Sequence, residues 1–335
     1  MTVMASKISD KLVSIIFTGG TISSISTTEA GGAVPRLTGD ALAKLIPDDI
    51  PRPRIRVINF EPRPSSHFSF PDVFAINNAV AAELADDAVA GVVVVQGTDV
   101  IEETSLFFDL LHTGPKPVVV TGSMRTADAP DYDGSRNLLD ATLCAASPEL
   151  RGQGVVVTMA GNIDQGDDVM KTHSTQLDTF ASPNFGRLGC VSDGQVVIER
   201  RRGAIRHVTT CQAAGPVFVV EAGLAVDGEA VDALSVRRPA GLVVKATGCG
   251  NTHPDLLRAC CDLMKTGVSV VITTRASAGF VNDTYAFPGG GGTWLRAGAL
   301  SAGSLPASKA RVALALGLGA NLDPVELRRL LADPT

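Results

Sequence analysis

The sequence predicts an α/β protein of two domains, a larger N-terminal one with a mainly parallel sheet flanked by helices and a smaller C-terminal α/β one. Three observations carry this. Apolar, β-branched runs at 13–17, 91–95, 117–120, 154–158, 242–244 and 268–273 lack the alternation of half-exposed strands, as strands covered on both faces do. Between them, residues 74–84, 104–111, 136–146, 256–264 and 311–318 space their apolar side chains at three and four, the period of a helix with one buried face. The length of 335 residues also exceeds what a single core usually serves. Alternating strands and helices place ligands at the carboxyl ends of the strands.

Along the chain, the N-terminal domain is expected over 1–198, a linker over 199–216 and the C-terminal domain over 217–335. The linker opens at Glu199-Arg200-Arg201-Arg202-Gly203, where periodicity fades, and its arginines read as a solvated surface. Thr252 is placed to cap the helix starting at His253-Pro254-Asp255. Asp323-Pro324 with Glu326 is a start signal for the last helix. Pro288-Gly289-Gly290-Gly291-Gly292 reads as a mobile loop.

Composition excludes several classes. Hydrophobic residues make up 45% and charged ones 19%, which argues for a well-buried enzyme and against disorder. A net charge of −6 without a basic stripe offers nucleic acid little to bind. No run reaches the ~20 apolar residues of a membrane span, and Met1 to Lys11 lacks a secretory apolar stretch, so a cytoplasmic location is expected. The six cysteines show no C-x-x-C pair and no metal-ligand spacing, and read as reduced thiols. Neither a G-x-G-x-x-G after a strand nor a G-K-[ST] supports nucleotide binding.

Two strings carry chemistry: Phe17-Thr18-Gly19-Gly20-Thr21-Ile22 and Gln96-Gly97-Thr98-Asp99-Val100-Ile101-Glu102-Glu103-Thr104, each following an apolar run. Both put a threonine at the mouth of a buried strand, where its hydroxyl serves as a nucleophile if a base takes the proton and donors hold the oxyanion. The glycines let backbone N–H groups approach a ligand closely. Read alone, a T-G-G-T is first of all a turn capped by a hydroxyl.

With Val120-Thr121-Gly122-Ser123-Met124-Arg125, Asp133-Gly134, Asn137-Leu138, Met170-Lys171-Thr172, Ser174-Thr175, Gly248-Cys249-Gly250-Asn251 and Lys309-Ala310-Arg311 in order behind them, these strings make the chain resemble the bacterial-type L-asparaginases. These are homo-oligomeric amidohydrolases with threonine nucleophiles. The resemblance spans nearly the whole chain and is strongest before residue 190. It implies Thr21 as nucleophile, and Thr98, Asp99 and Lys171 as one connected polar group beside it. A lysine there accepts the threonine proton if desolvation favours its neutral form; otherwise the three are only a buried ion pair joining two loops. The resemblance also implies substrate binding by Ser66, His67, Gly97, Thr98 and Asp99, with Ser66 on the α-carboxylate. Backbone N–H groups near Thr98 and after Val120 are the expected oxyanion donors. A small-molecule amide is the implied partner, no cofactor or metal is expected, and the implied assembly is a dimer of dimers. Cys249 is noted because the family places its loop near the active site.

Three departures bear on the substrate. The prominent family members carry a lid tyrosine after the first threonine, but residues 23–36 contain none, and the chain has only Tyr132 and Tyr285. Glu29, Arg36 and Tyr285 are candidates for the vacant roles. His67 stands where those enzymes have a glutamine on the substrate ammonium. Where a neighbouring subunit's glutamate binds the same ammonium, alignment lands in Gly289–Gly292, and no carboxylate lies between Asp283 and the C-terminal helix. The leading reading is hydrolysis of L-asparagine or a close analogue. The alternatives are a relative cleaving another amide, imide or amino-acid derivative, and an inactive small-molecule-binding relative. Losing a desolvated charge partner commonly costs ~3 kcal/mol or more. Activity on free L-asparagine is therefore expected to be weak beside that on an amide whose α-amino group is altered or missing. Comparing kcat/KM for asparagine, succinamic acid and N-acylated analogues checks this, and an asparagine value far above all the others refutes it.

Overall fold

The computed structural model describes residues 10–27, 31–47 and 50–332. Glu29 and residues 1–9 lie outside them. Two compact units divide between Ile205 and Arg206, each an α/β structure as the sequence predicts.

The first unit is organised by an eight-stranded sheet. β1 (Leu12–Phe17) leads into a hairpin of β2 (Ser24–Thr27) and β3 (Gly32–Pro35), and the chain then returns as β4 (Arg54–Asn59) beside β1. β5 (Val89–Val95) pairs with the other edge of β1, followed outward by β6 (Val118–Thr121) and β7 (Val155–Met159), all parallel. Beyond β7 the sheet turns antiparallel through β8 (Asn162–Gln165), β11 (Gly189–Ser192) and β12 (Gln195–Ile198). A two-stranded ribbon of β9 (Met170–Lys171) and β10 (Phe180–Ala181) interrupts that run. The parallel part has the order β4-β1-β5-β6-β7, in which connections leave β1 and β5 toward opposite edges. A sheet of this order opens a crevice between the carboxyl ends of those two strands.

Both faces of the sheet are covered, which is why its central strands are apolar without alternation. Val13, Ile15, Phe17, Val93, Val95 and Val119 belong to one buried cluster with Leu138, Leu139 and Leu143 of the helix Gly134–Ala146. The helices Phe70–Leu84 and Ile101–Leu111 pack on each other through Phe74 and Phe107, with ring centroids 4.8 Å apart at 76°. Phe70–Leu84 starts at a capping box formed by Ser69 and Asp72. Among the elements missing from the sequence reading are β4, the hairpin and the antiparallel extension, which are short and carry mixed polar and apolar residues.

The second unit is a four-stranded parallel sheet, ordered β13 (Val217–Glu221), β14 (Gly241–Ala246), β15 (Ser269–Thr274) and β16 (Leu300–Ser301). The Asp323 start signal holds: its carboxylate accepts from the Val325 and Glu326 amides, and Glu326 accepts back from the Asp323 N–H. Two expectations are corrected. His253, not Thr252, caps the helix Pro254–Lys265, with Nδ1 accepting from the Asp255 N–H at 3.3 Å. Thr252 Oγ1 instead accepts from Trp294 Nε1 at 3.0 Å. Nor is the glycine run a mobile loop. Gly289–Gly292 are buried, and a Cβ on any of the four would press into backbone of Thr252, Tyr285, Asn282 or Asp283. The run feeds a short helix, Gly291–Arg296, anchored by the fully buried Trp294. Among the described residues no helix is long and apolar enough to cross a membrane.

The arginine cluster is also not a solvated surface throughout. The Arg202 side chain is only 3% exposed, and its Nη2 lies 2.7 Å from both Asp109 Oδ2 and Asp167 Oδ2. Burial opposes the charge on this guanidinium, but the two carboxylates outweigh it and hold its pKa above the ordinary value. Asp109 in turn accepts from the Val155 N–H at 2.8 Å, tying the triad to the start of β7. Removing one member of such a buried group strands the others. Arg202→Ala is expected to cost about 3–5 kcal/mol, whereas Arg201→Ala, which breaks only an exposed pair with Glu149, costs under about 1 kcal/mol. Urea unfolding midpoints of the two variants test the contrast.

Candidate active site

The crevice between β1 and β5 is closed at its floor by backbone. Thr18 donates to the Val95 carbonyl both from its amide, at 2.9 Å, and from Oγ1, at 3.0 Å, stitching the loop after β1 to the end of β5. Gly19 and Gly20 both have φ of 98°, a region that glycine enters without steric penalty. A Cβ on Gly20 would overlap the backbone of Gly97, so the two motif loops touch main chain to main chain. Thr21 follows at once and opens the tight turn Thr21–Ser23, whose Ser23 and neighbouring Ser24 hydroxyls each donate to the Gly20 carbonyl at 3.0 Å.

Thr98 lies on the other side of this contact, 5% exposed, in the turn Thr98–Val100 that precedes the helix Ile101–Leu111. The end of β5 is held from behind by Gln96, buried, whose Oε1 accepts from Thr104 Oγ1 at 3.0 Å. Gly122, after β6, sits against the Gln96 carbonyl and the Thr98 methyl, where a Cβ would lie 2.6 and 3.2 Å from them. The loops after β1, β5 and β6 therefore converge around Thr98.

Lys171 reaches the group from the β9–β10 ribbon, seventy-two residues past Asp99. Its Nζ donates to Thr98 Oγ1 at 2.9 Å and to Asp99 Oδ1 at 3.1 Å. The lysine side chain is 17% exposed and Asp99 63% exposed, so the trio has one covered end and one end open to a ligand. The Lys171 backbone amide donates to Glu102 Oε2 at 3.2 Å, which aligns the ribbon with the helix behind Asp99. Thr98, Asp99 and Lys171 thus form one hydrogen-bonded group.

Ser66 and His67 lie in the turn Ser65–His67 and are exposed, while Ser65 is 2% exposed. A Cβ on Gly97 would sit 2.8 Å from Ser65 Oγ, so this turn packs directly on the second motif and leaves its next two side chains free to face a ligand. The sequence reading did not single out Ser65, whose position beneath Gly97 has no local signal. Nor did it single out Tyr132, or the carboxylate of Asp133, which accepts from Ser123 Oγ and from the Met124 and Arg125 amides at 2.6, 3.0 and 2.9 Å. Asp133 had appeared only as half of an Asp-Gly motif. Tyr285 is in the second unit, as is Cys249, which is partly buried.

Comparisons with known proteins bear on the chain as a whole. The N-terminal asparaginase family model matches residues 12–203, and the glutaminase/asparaginase C-terminal domain model matches 216–331. The L-asparaginase of Bacillus licheniformis is 31% identical over 310 residues, 92% of this chain and 95% of that protein. The glutaminase-asparaginase of Pseudomonas fluorescens is 31% identical over 330 residues, 95% of this chain and 89% of that one. The crystal structure of the probable cytoplasmic L-asparaginase from Campylobacter jejuni superposes with a TM-score of 0.85 at 28% identity, covering 96% of this chain and 99% of that one.

The segment that presents Lys171 is secured through buried acids. Asp168 accepts from the Asn184 side chain at 3.0 Å and the Phe185 amide at 2.8 Å, and Asp164 on β8 accepts from Ser182 Oγ at 2.7 Å. Burial pushes the Asp164 carboxyl up to about 6, with the charges of Asp168 and Asp178 adding to it and the Ser182 bond opposing. The folded protein therefore binds more protons than the unfolded chain between pH about 4 and 6, and stability falls as pH rises through that window. The contribution is complete below the unfolded carboxyl range and lost above about 6. Asp164→Asn is expected to flatten this slope, worth about 2–3 kcal/mol, in denaturant unfolding measured across the window.

Proposed function

We propose a threonine-based amide hydrolysis, proceeding from the fact that the chain belongs to the asparaginase family. The protein is an amidohydrolase that converts a small carboxamide, L-asparagine or a close analogue, to the acid and ammonia. The observation that supports the mechanism is the Lys171–Thr98–Asp99 hydrogen-bonded group, whose Thr98 directly follows the Gly97 backbone that packs on Gly20, the residue before Thr21.

In this mechanism Thr21 Oγ1 attacks the amide carbon as its proton passes to the Thr98–Lys171–Asp99 group, which then delivers a proton to the leaving nitrogen. Backbone N–H groups around Thr98 and after β6 face the developing oxyanion, where donors placed in advance stabilise charge without reorganising. As the tetrahedral intermediate collapses, the C–N bond breaks and the nitrogen leaves as ammonia, carrying a proton supplied through the site. The acyl group remains on Thr21. Water then attacks the ester, giving up its proton along the Thr98–Lys171–Asp99 line and returning the Thr21 hydroxyl. Ser66 is assigned to the substrate carboxylate, His67 and Asp99 to its α-substituent, and Gly97 to a close backbone approach.

A second reading keeps the chemistry and changes the substrate. It is favoured by Gly289–Gly292, where the backbone is packed so tightly that no side chain fits and none is present to pair with an ammonium. We further read the enzyme as a cytoplasmic homotetramer assembled as a dimer of dimers. The location is supported by likeness to the Campylobacter protein described as cytoplasmic, though a relative in Haemophilus influenzae is described as periplasmic. The assembly rests on the family resemblance.

Ammonia release from L-asparagine and a panel of carboxamides tests the mechanism. Thr21→Ala and Lys171→Ala are each expected to lower kcat by roughly 10³-fold or more while leaving the melting temperature near that of the parent. A Thr21→Ala variant that retains most of its activity overturns the assignment of the nucleophile.

A further inference from the structure

We infer that Tyr132 is a positioning residue for the Thr21 turn. The inference rests on the reading of Thr21 as nucleophile and adds a residue that neither the motifs nor the comparisons assign. Tyr132 Oη donates to the carbonyl of Ile22, the residue after Thr21, at 2.9 Å across 110 residues of sequence.

The donor is rigidly mounted. Its ring packs beside the core cluster under the large sheet, and Gly134 lacks a Cβ where the ring would collide with one. The next residue, Asp133, is locked by the Ser123 hydroxyl, the Met124 and Arg125 amides and Asn137 Nδ2 at 2.9 Å. Burial, with the Asp133 charge second, pushes the phenol above its ordinary pKa, so the hydroxyl stays protonated and remains a donor.

The same loop grips the chain twice more beyond Ile22. The Ala127 amide donates to the Ser24 carbonyl at 2.8 Å, and Asp128 Oδ2 accepts from the Ser26 amide at 3.2 Å. Ile22, Ser24 and Ser26 are alternate residues, so one edge of β2 is held by the 127–132 loop while its other edge pairs with β3. Tyr132 makes the contact nearest Thr21 and the only one of the three that comes from a side-chain hydroxyl. A chain without a tyrosine in its lid thus carries one that fixes the lid's root, acting through the backbone rather than on Thr21 Oγ1.

The test compares Tyr132→Phe, Tyr132→Ala and Thr21→Ala on whichever amide the parent cleaves fastest, reading kcat, KM, the presteady-state acylation rate and the melting temperature. Tyr132→Phe keeps the ring and loses only the hydroxyl. It is expected to melt within about 2 °C of the parent, keep KM within twofold, and lose about tenfold in kcat and in acylation rate, the scale of one hydrogen bond. Tyr132→Ala is expected to show the same loss in kcat together with a lower melting temperature. Parent-like kcat in Tyr132→Phe, or a change in KM alone, overturns the inference. Activity retained in Thr21→Ala instead removes the nucleophile assignment, and with it the object that Tyr132 positions, so the two failures are read on different variants.

Discussion

The close approach of Gly20 and Gly97 sets the geometry on which the candidate site depends. Neither residue has room for a Cβ: one on Gly20 would overlap the backbone of Gly97, and one on Gly97 would press into Ser65 on its other side. This contact exists because β1 and β5 are neighbours in register, Phe17 beside Val95, so that the loops leaving them meet at one height above the sheet. Thr21 and Thr98 are each the first hydroxyl after that contact. Their separation is set by paired main chains, not by flexible side chains, and a site held this way loses little entropy on binding a ligand.

Polar groups reach this frame from three directions, each with its own anchor. Lys171 comes from a ribbon outside the large sheet, bound back to the sheet by Asp164 and Asp168 and to the helix after Asp99 by its own amide. The turn Ser65–His67 rests on Gly97. The loop after β6 is folded around the Asp133 carboxylate and extends through Tyr132 to the root of the lid. Buried carboxylates recur as fasteners here because an ionised acceptor satisfies several backbone donors at once, and the bonds are stronger than neutral ones. The Arg202–Asp109–Asp167 triad applies the same logic at the margin of the first unit, where Asp109 also takes the first amide of β7.

In the second unit the glycine run shows how composition misleads without packing. Four consecutive glycines lower the local cost of disorder, yet here they are required because two backbone segments, 249–253 and 282–285, leave no space for side chains. Trp294, fully buried and hydrogen-bonded to Thr252, fixes the helix that follows them. The absence of a carboxylate from this stretch is therefore built into the fold of the segment. A single substitution to glutamate would not restore one without moving the backbone.

The primary sequence alone determined the two-domain α/β class, the central strands and the long helices, because apolar runs and 3.6-residue spacing are local consequences of burial. Motifs whose order resembles a family also singled out Thr98, Asp99 and Lys171, which the structure joins by hydrogen bonds, and Thr21, the proposed nucleophile. The primary sequence could not show that Lys171 touches Thr98, since a separation of 73 residues is bridged only when the sheet closes the distance. Arg202 and Arg201 are adjacent in sequence, yet one is buried between two aspartates and the other faces solvent. Only tertiary structure decided such cases, as it decided that the Tyr132 hydroxyl reaches the carbonyl of Ile22, beside Thr21, from a loop 110 residues away. Such contacts arise from strand register and from which loops share a sheet edge, and neither leaves a periodic trace in the local sequence.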